Sequence, residues 1–286
     1  MCSYERGHTM KRAISIWTFV GKTIKESMAL AKKVGYDGIE LALEESGPTG
    51  LDSTPADWAE IRAYSDEIGL PIHSVATGLH WGSPITSNDE AVREKAVSIV
   101  EKQLDMAKAL GADAILVVPG AVNVSFVPGF EPVQYDIAYE RSLAAFNRLK
   151  GKAEALEIKI GIENVWNQFL LSPIETRDFI DKINSPYVGM YFDVGNVLAT
   201  GLPEQWIRIL GKRICKVHFK DYRQNAGGLH GFVDLLAGDV NWPEVMAAFN
   251  EIGYDGWATA EMIPAYNHYP EQLVWNTYGA MAQICK

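Results

Sequence analysis

Eight times over, a short apolar run in this chain is followed by a longer segment of helical period, with no low-complexity break between the units. The runs fall at 13–19, 38–43, 71–77, 114–119, 159–164, 188–194, 214–220 and 256–262, and each reads as a strand. Between them lie stretches such as TIKESMALAKKVG and NWPEVMAAFNEIG, several of which close in glycine (Gly35, Gly69, Gly111, Gly253), the residue that best tolerates the left-handed turn after a helix. Thr54 before Pro55, and Asn241 before Trp242 and Pro243, supply helix-start chemistry. Eight βα units admit a closed barrel or an open doubly wound sheet. An open dinucleotide-binding sheet would want GxGxxG after its first strand, and WTFVGKT stands there instead. The expectation is therefore an α/β chain folded as one (β/α)8 TIM barrel over 1–286. Its 286 residues suit a fold that takes about 250, and residues 1–11 form a polar lead in which Met10 could serve as the natural start.

Composition removes several classes of function. A formal net charge of −10 with no run of Lys or Arg disfavours nucleic acid and anionic lipid as partners. No apolar run reaches the roughly 18 residues of a spanning helix, and the N-terminus lacks the apolar core of a secretory signal. Cys2, Cys215 and Cys285 form no CxxC and leave one over in any pairing, which points away from a disulfide framework and toward the cytoplasm.

Alternation within the last four runs sorts their side chains. If the apolar residues Ile160, Ile162, Val188, Met190, Phe192, Cys215, Val217, Phe219, Ala258 and Ala260 face the helices, then Glu163, Asp193, His218 and Glu261 face the lumen near the strands' C-terminal ends, where such barrels do their chemistry. Taken singly, a strand-end carboxylate is ordinarily a solvated group or a helix cap, and a lone histidine is ordinarily a satisfied interior one. Together they conflict, because three carboxylates and an imidazole in one lumen need a cation to stay ionised. One divalent metal resolves this. Three oxygen ligands and one nitrogen suit Mn2+, Mg2+ or Co2+, with Zn2+ also admissible. Lys216, Lys159 and Glu40 share the lumen parity at greater depth and read as a structural charge cluster at the barrel floor.

The segments IENVWNQFLLSP (162–173), YFDVGN (191–196), VHFKD (217–221) and the AEM around Glu261 resemble those of the xylose isomerase-like barrels, a group that includes ketose 3-epimerases, L-ribulose-5-phosphate 3-epimerases and hexulose-6-phosphate isomerases. The likeness covers the whole chain in strand order. It implies that Glu163, Asp193, His218 and Glu261 hold the metal and that Glu163 and Glu261 are also the catalytic acid/base pair. It further implies an isomerase or epimerase of a ketose or ketose phosphate, and with the metal expected from the donor set, manganese among the candidates, the site would act by proton transfer through a metal-stabilised cis-enediolate. Free-ketose 3-epimerases tend to carry His three residues after the strand 6 Asp, whereas this chain has Asn196, which shifts the expectation toward a phosphorylated sugar.

Candidate substrate contacts are Trp17, Glu44, His80, Trp81, Trp166, Asn196, Lys220 and Arg223, the last two as partners for a substrate oxygen or phosphate. The partner is a small sugar, with a homo-oligomer possible. The competing readings are an abasic-site endonuclease-like or inosose dehydratase-like barrel and a sugar-binding barrel without catalysis. A metal-free glycosidase is disfavoured because strand 4 ends ILVVPG without a carboxylate.

Overall fold

The computed structural model describes residues 10–286, so most of the polar lead, with Cys2, lies outside the described residues. The barrel strands are β1 (Lys11–Ser15), β2 (Gly38–Leu43), β3 (Ile72–Thr77), β4 (Ala114–Val117), β5 (Lys159–Glu163), β6 (Val188–Asp193) and β7 (Ile214–Phe219). A two-stranded ribbon of β8 (Asp221–Tyr222) and β9 (Phe232–Val233) follows, and β10 (Trp257–Ala260) completes the barrel. The helices are α1 (Ile24–Val34), α2 (Pro55–Ile68), α3 (Glu90–Leu110), α4 (Tyr135–Leu156), α5 (Pro173–Ile183), α6 (Val194–Val197), α7 (Pro203–Leu210), α8 (Trp242–Ile252) and α9 (Pro270–Ile284). Eight parallel strands close in the order β1, β10, β7, β6, β5, β4, β3, β2, the TIM barrel expected from the alternation.

Local chemistry sets the element ends. Thr23 and Thr54 each make a reciprocal capping box, with Glu26 and Asp57 respectively, and Asn241 accepts from the Glu244 N–H. Gly35, Gly69, Gly111 and Gly253 all end helices with positive φ. At the first strand the structure departs from expectation at both ends. Lys11 already pairs with Trp257, so the lead is shorter than 1–11. The strand stops at Ser15, its last partner being Glu40, and Ile16–Thr18 form a 3-10 turn that carries Trp17 toward the barrel mouth.

The principal apolar core lies between the strands and the helices, where Ile160, Ile162, Met190, Phe192, Val217, Phe219, Ala258 and Ala260 are fully or almost fully buried. Cys215 is the partial exception on that parity, half-buried with its Sγ–H donating to Met190 O at 3.3 Å. A second, small cluster of Ala76, Leu116 and Tyr191, with Trp17 against it, fills the lumen below the mouth. No described helix is long and apolar enough to cross a membrane.

Candidate metal centre and sugar site

The four lumen residues converge. Glu163 and Asp193 end β5 and β6, His218 is the penultimate residue of β7, and Glu261 follows β10 directly. One ligand atom from each lies within 4.8 Å of all the others. The His218 Nδ1 atom stands 3.4 Å from Glu163 Oε1, 3.4 Å from Glu261 Oε2 and 4.0 Å from Asp193 Oδ2. On the other side of the ring, Nε2 lies 2.9 Å from Glu40 Oε1. A carboxylate only accepts, so Nε2 carries a proton; burial opposes a charge on the ring, but Glu40 and Glu261 outweigh it and hold the imidazole well above its ordinary range, so Nδ1 is protonated toward the carboxylates as well unless a metal takes that place. Three carboxylates so close together hold only around positive charge, whether the ring's own or that of a bound ion. Asp193 Oδ2, His218 Nδ1 and Glu261 Oε2 are buried without a hydrogen bond of good geometry, as atoms reserved for a cation would be. The residues therefore fit a divalent metal with one nitrogen and three oxygen donors.

Glu40 corrects the sequence expectation. It is completely buried and, instead of joining Lys216 and Lys159 at the floor, accepts from Tyr191 Oη at 2.5 Å and Ser74 Oγ at 2.8 Å while orienting His218. The signal was present in its lumen parity, but pairing across the barrel from β2 to β7 is not visible in one strand's alternation. Lys216 does lie at the floor, paired with Asp113 at 2.5 Å, whereas Lys159 is exposed at the barrel's edge.

Lys220 completes the charge at the mouth. Its Nζ is 3.3 Å from Asp193 Oδ2 and also pairs with Glu261 Oε2. Gly195 makes this approach possible, since a Cβ there would stand 2.6 Å from Lys220 Cβ. Burial, and the nearby charge of Glu261, push the Glu163 carboxyl up to about 7 even though His218 opposes the shift. Burial raises Glu261 as well, but Lys220 and His218 outweigh it and hold that carboxyl down at about 2. The two glutamates thus differ in basicity while facing one point, an arrangement that suits an acid/base pair.

Around the centre lies a cavity of about 180 Å3, walled by Trp17, Trp81, Phe126, Trp166 and Phe232 and floored by Glu163, Glu261 and Lys220. Trp166 is fixed by its Nε1–H, which donates to Asn196 O at 3.0 Å, and by Phe232 stacked 5.1 Å away. Asn196 also lines the cavity, but its amide is committed to Asn164 O at 2.9 Å. Asn164 in turn exchanges two hydrogen bonds of 2.9 Å with the Asp193 backbone, so the ENV and DVGN segments brace each other. Glu44 is exposed and accepts from Trp17 Nε1 at 3.1 Å, and it does not line the cavity. His80 is buried with both ring nitrogens lacking hydrogen bonds, and burial lowers it to about 4. Neither it nor Arg223, whose guanidinium donates to Ala237 O, is brought to the cavity. Asp221, unassigned in the sequence, anchors the loop after β7. It accepts from the backbone N–H groups of Tyr222, Leu236 and Val240 and from Trp242 Nε1.

A family model for xylose isomerase-like TIM barrels matches residues 28–276, and the chain belongs to that family. A putative L-ribulose-5-phosphate 3-epimerase of Escherichia coli K12 is 27% identical over 252 residues, covering 83% of this chain and 82% of the relative. An L-ribulose-5-phosphate 3-epimerase of Salmonella paratyphi C is 24% identical over 252 residues, covering 85% of this chain and 83% of the relative. Among solved structures, a D-psicose 3-epimerase studied in the presence of D-fructose superposes with a TM-score of 0.78 at 19% identity, covering 96% of this chain and 98% of that one. The expectation of a sugar isomerase or epimerase agrees with the names these relatives carry.

Proposed function

We propose that this protein is a divalent-metal-dependent epimerase or isomerase of a ketose, with Glu163 and Glu261 as its acid/base pair. The observation that carries this reading is the convergence of Glu163, Asp193, His218 and Glu261 on one point, with His218 Nδ1 turned toward the three carboxylates by Glu40. When bound, a divalent ion held by these four residues would polarise the substrate carbonyl and stabilise the negative charge that follows loss of the adjacent proton. The chain's own residues do the rest. Glu163, with its carboxyl near neutrality, takes or returns the proton on one face of the carbon, and Glu261 serves the other. Lys220 Nζ lies within reach of an oxygen bound beside Asp193 and Glu261 and would orient it. Trp17, Trp81 and Trp166 exclude water and pack against the C–H faces of the sugar. A barrel that only binds sugar has no need of two glutamates converging on one point.

The test is turnover in D2O by the Mn2+-loaded protein, read by NMR over a panel of ketoses and ketose phosphates. Deuterium is expected at C3 for epimerisation or at C1 for isomerisation. Exhaustive chelation should abolish the exchange and lower the melting temperature, and Mn2+ or Co2+ should restore both. Conversion without deuterium uptake, or full turnover without metal, would overturn the reading.

A further inference from the structure

Beside the cavity over the metal centre lies a second one of about 170 Å3. The two share Val165, Trp166 and Asn196 as a common wall. The second is lined by Ser125, Gln168, Leu171, Thr200 and Trp206 among others, and none of its lining side chains is charged. Hydroxyls, amides and an indole on a largely apolar surface form the mixture that recognises a neutral carbohydrate ring.

The segment that shapes this cavity is held in a costly conformation. Gln168 and Leu170 both have left-handed backbones, at φ 52° and 54°. The surroundings fix them firmly. Asn167 is buried, donates its amide to Gly120 O at 2.7 Å and accepts from the Phe169 N–H at 3.2 Å. Leu170 N–H donates to Tyr135 Oη at 3.1 Å, and Leu171 N–H to Glu175 at 2.9 Å. Strain kept in place by this many bonds is typical of a segment shaped for a ligand.

Charge narrows the ligand further. Among the described residues lining either cavity, the only cation is Lys220, and its ammonium is already engaged with Asp193 and Glu261. With a divalent ion bound, its charge and that of Lys220 are taken up by the three carboxylates, so a phosphate placed here would meet no uncommitted cation. Two adjoining cavities of similar volume fit a substrate with two lobes of similar size.

We infer that the second cavity is a binding subsite for an uncharged ring, so that the preferred substrate is a ketose carrying a neutral glycosyl group rather than a phosphate. This rests on the reading of the metal centre as a ketose epimerase or isomerase. Three probes with different substituents on the same oxygen separate the possibilities: D-fructose, D-fructose 6-phosphate, and palatinose, which carries a glucosyl group at O6. Titration calorimetry on the Mn2+-loaded protein should show palatinose binding about tenfold or more tighter than D-fructose, with the phosphate no tighter than the free sugar. Thr200→Trp, at an exposed position on the second cavity, should fill it and erase the ratio between palatinose and D-fructose. A tighter phosphate, equal affinities for palatinose and D-fructose, or a ratio untouched by Thr200→Trp overturns the inference. Deuterium exchange on the same samples keeps the two claims apart. Exchange without a glucosyl preference removes the subsite and leaves the reaction standing. A glucosyl preference abolished by Thr200→Trp, without exchange on any probe, leaves the subsite standing and removes the reaction.

Discussion

Strand β7 and the residue directly after it carry two lysines toward the lumen, Lys216 and Lys220, one on each side of His218 along the chain, and they solve different problems. At the floor, Lys216 is almost fully buried and meets one carboxylate, Asp113, whose own side chain is 69% exposed. Burial lowers the Lys216 ammonium and Asp113 only partly offsets this, so the pair is balanced and half-solvated. At the mouth, burial works against Lys220 too, but Asp193, Glu261 and Glu163 together raise it. The mouth therefore holds more carboxylate than its one lysine can neutralise, and the floor does not. A larger cleft of about 510 Å3 opens at the floor end beside Lys159, Lys212, Arg213 and Cys215, yet among the described residues no set of ligand atoms converges there as the four mouth residues do. Size does not locate this site. Unbalanced buried charge does.

The largest test of that contrast lies in the two glutamates. Glu163→Gln and Glu261→Gln keep a carbonyl oxygen for the metal but remove the base, so each should retain much of its bound Mn2+ while the exchange rate falls by on the order of 10² to 10⁴. Metal content by atomic absorption, measured beside the rate, separates the two roles. Wild-type rates in either variant would remove that residue from the proton-transfer step.

A smaller effect is expected one shell out. Glu40 holds the His218 tautomer through Nε2 and is itself held by Tyr191 and Ser74. Glu40→Gln removes its charge and turns an amide NH2 either toward His218 Nε2 or toward both hydroxyls, which share the other oxygen. Mn2+ affinity should weaken by about 10- to 100-fold, the usual cost of disturbing a carboxylate that orients a metal histidine. An unchanged dissociation constant would mean that the ring is positioned by packing against Tyr191, 4.6 Å away, and not by Glu40.

How much of this was legible in the sequence follows from the range of each interaction. The barrel and the convergence of Glu163, Asp193, His218 and Glu261 rest on period-two alternation and strand order, which a linear chain displays directly. Element ends were legible where a cap or a glycine marks them, as at Thr54 and Gly111. The end of β1 was not, because the sequence from Ile16 to Phe19 stays rich in apolar and β-branched residues while its pairing stops at Ser15. Glu40 was misplaced at the floor because its partner is 178 residues away across the lumen. His80 and Arg223 were drawn toward the substrate by residue type and place in the chain, yet the first is buried within the segment after β3 and the second is turned to a loop carbonyl. Alternation says which face a side chain takes, and only the closed barrel says how near it comes to the centre.

The smallest expected effect, and the sharpest check on the contrast between the two lysines, comes from the floor. In Lys216→Met the aliphatic stem is largely preserved, and the buried ammonium no longer has to be desolvated. Its partner Asp113 is exposed enough to be solvated without it. What is lost is one ion pair and a distant contact with the Trp257 ring, 5.8 Å from Nζ. These changes oppose one another, so stability from urea denaturation should move by no more than about 1 kcal/mol, and the Mn2+ dissociation constant should stay as it is. The same substitution at Lys220 removes the one ammonium beside Asp193 and Glu261, both nearly or fully buried. Breaking a buried pair from one side costs about 3 to 5 kcal/mol, so chelated Lys220→Met should unfold at clearly lower urea than chelated wild type, and Mn2+ should recover much of the difference. If Lys216→Met proves as damaging as Lys220→Met under chelation, the floor pair is no more balanced than the mouth, and charge imbalance loses its value as the marker of this site.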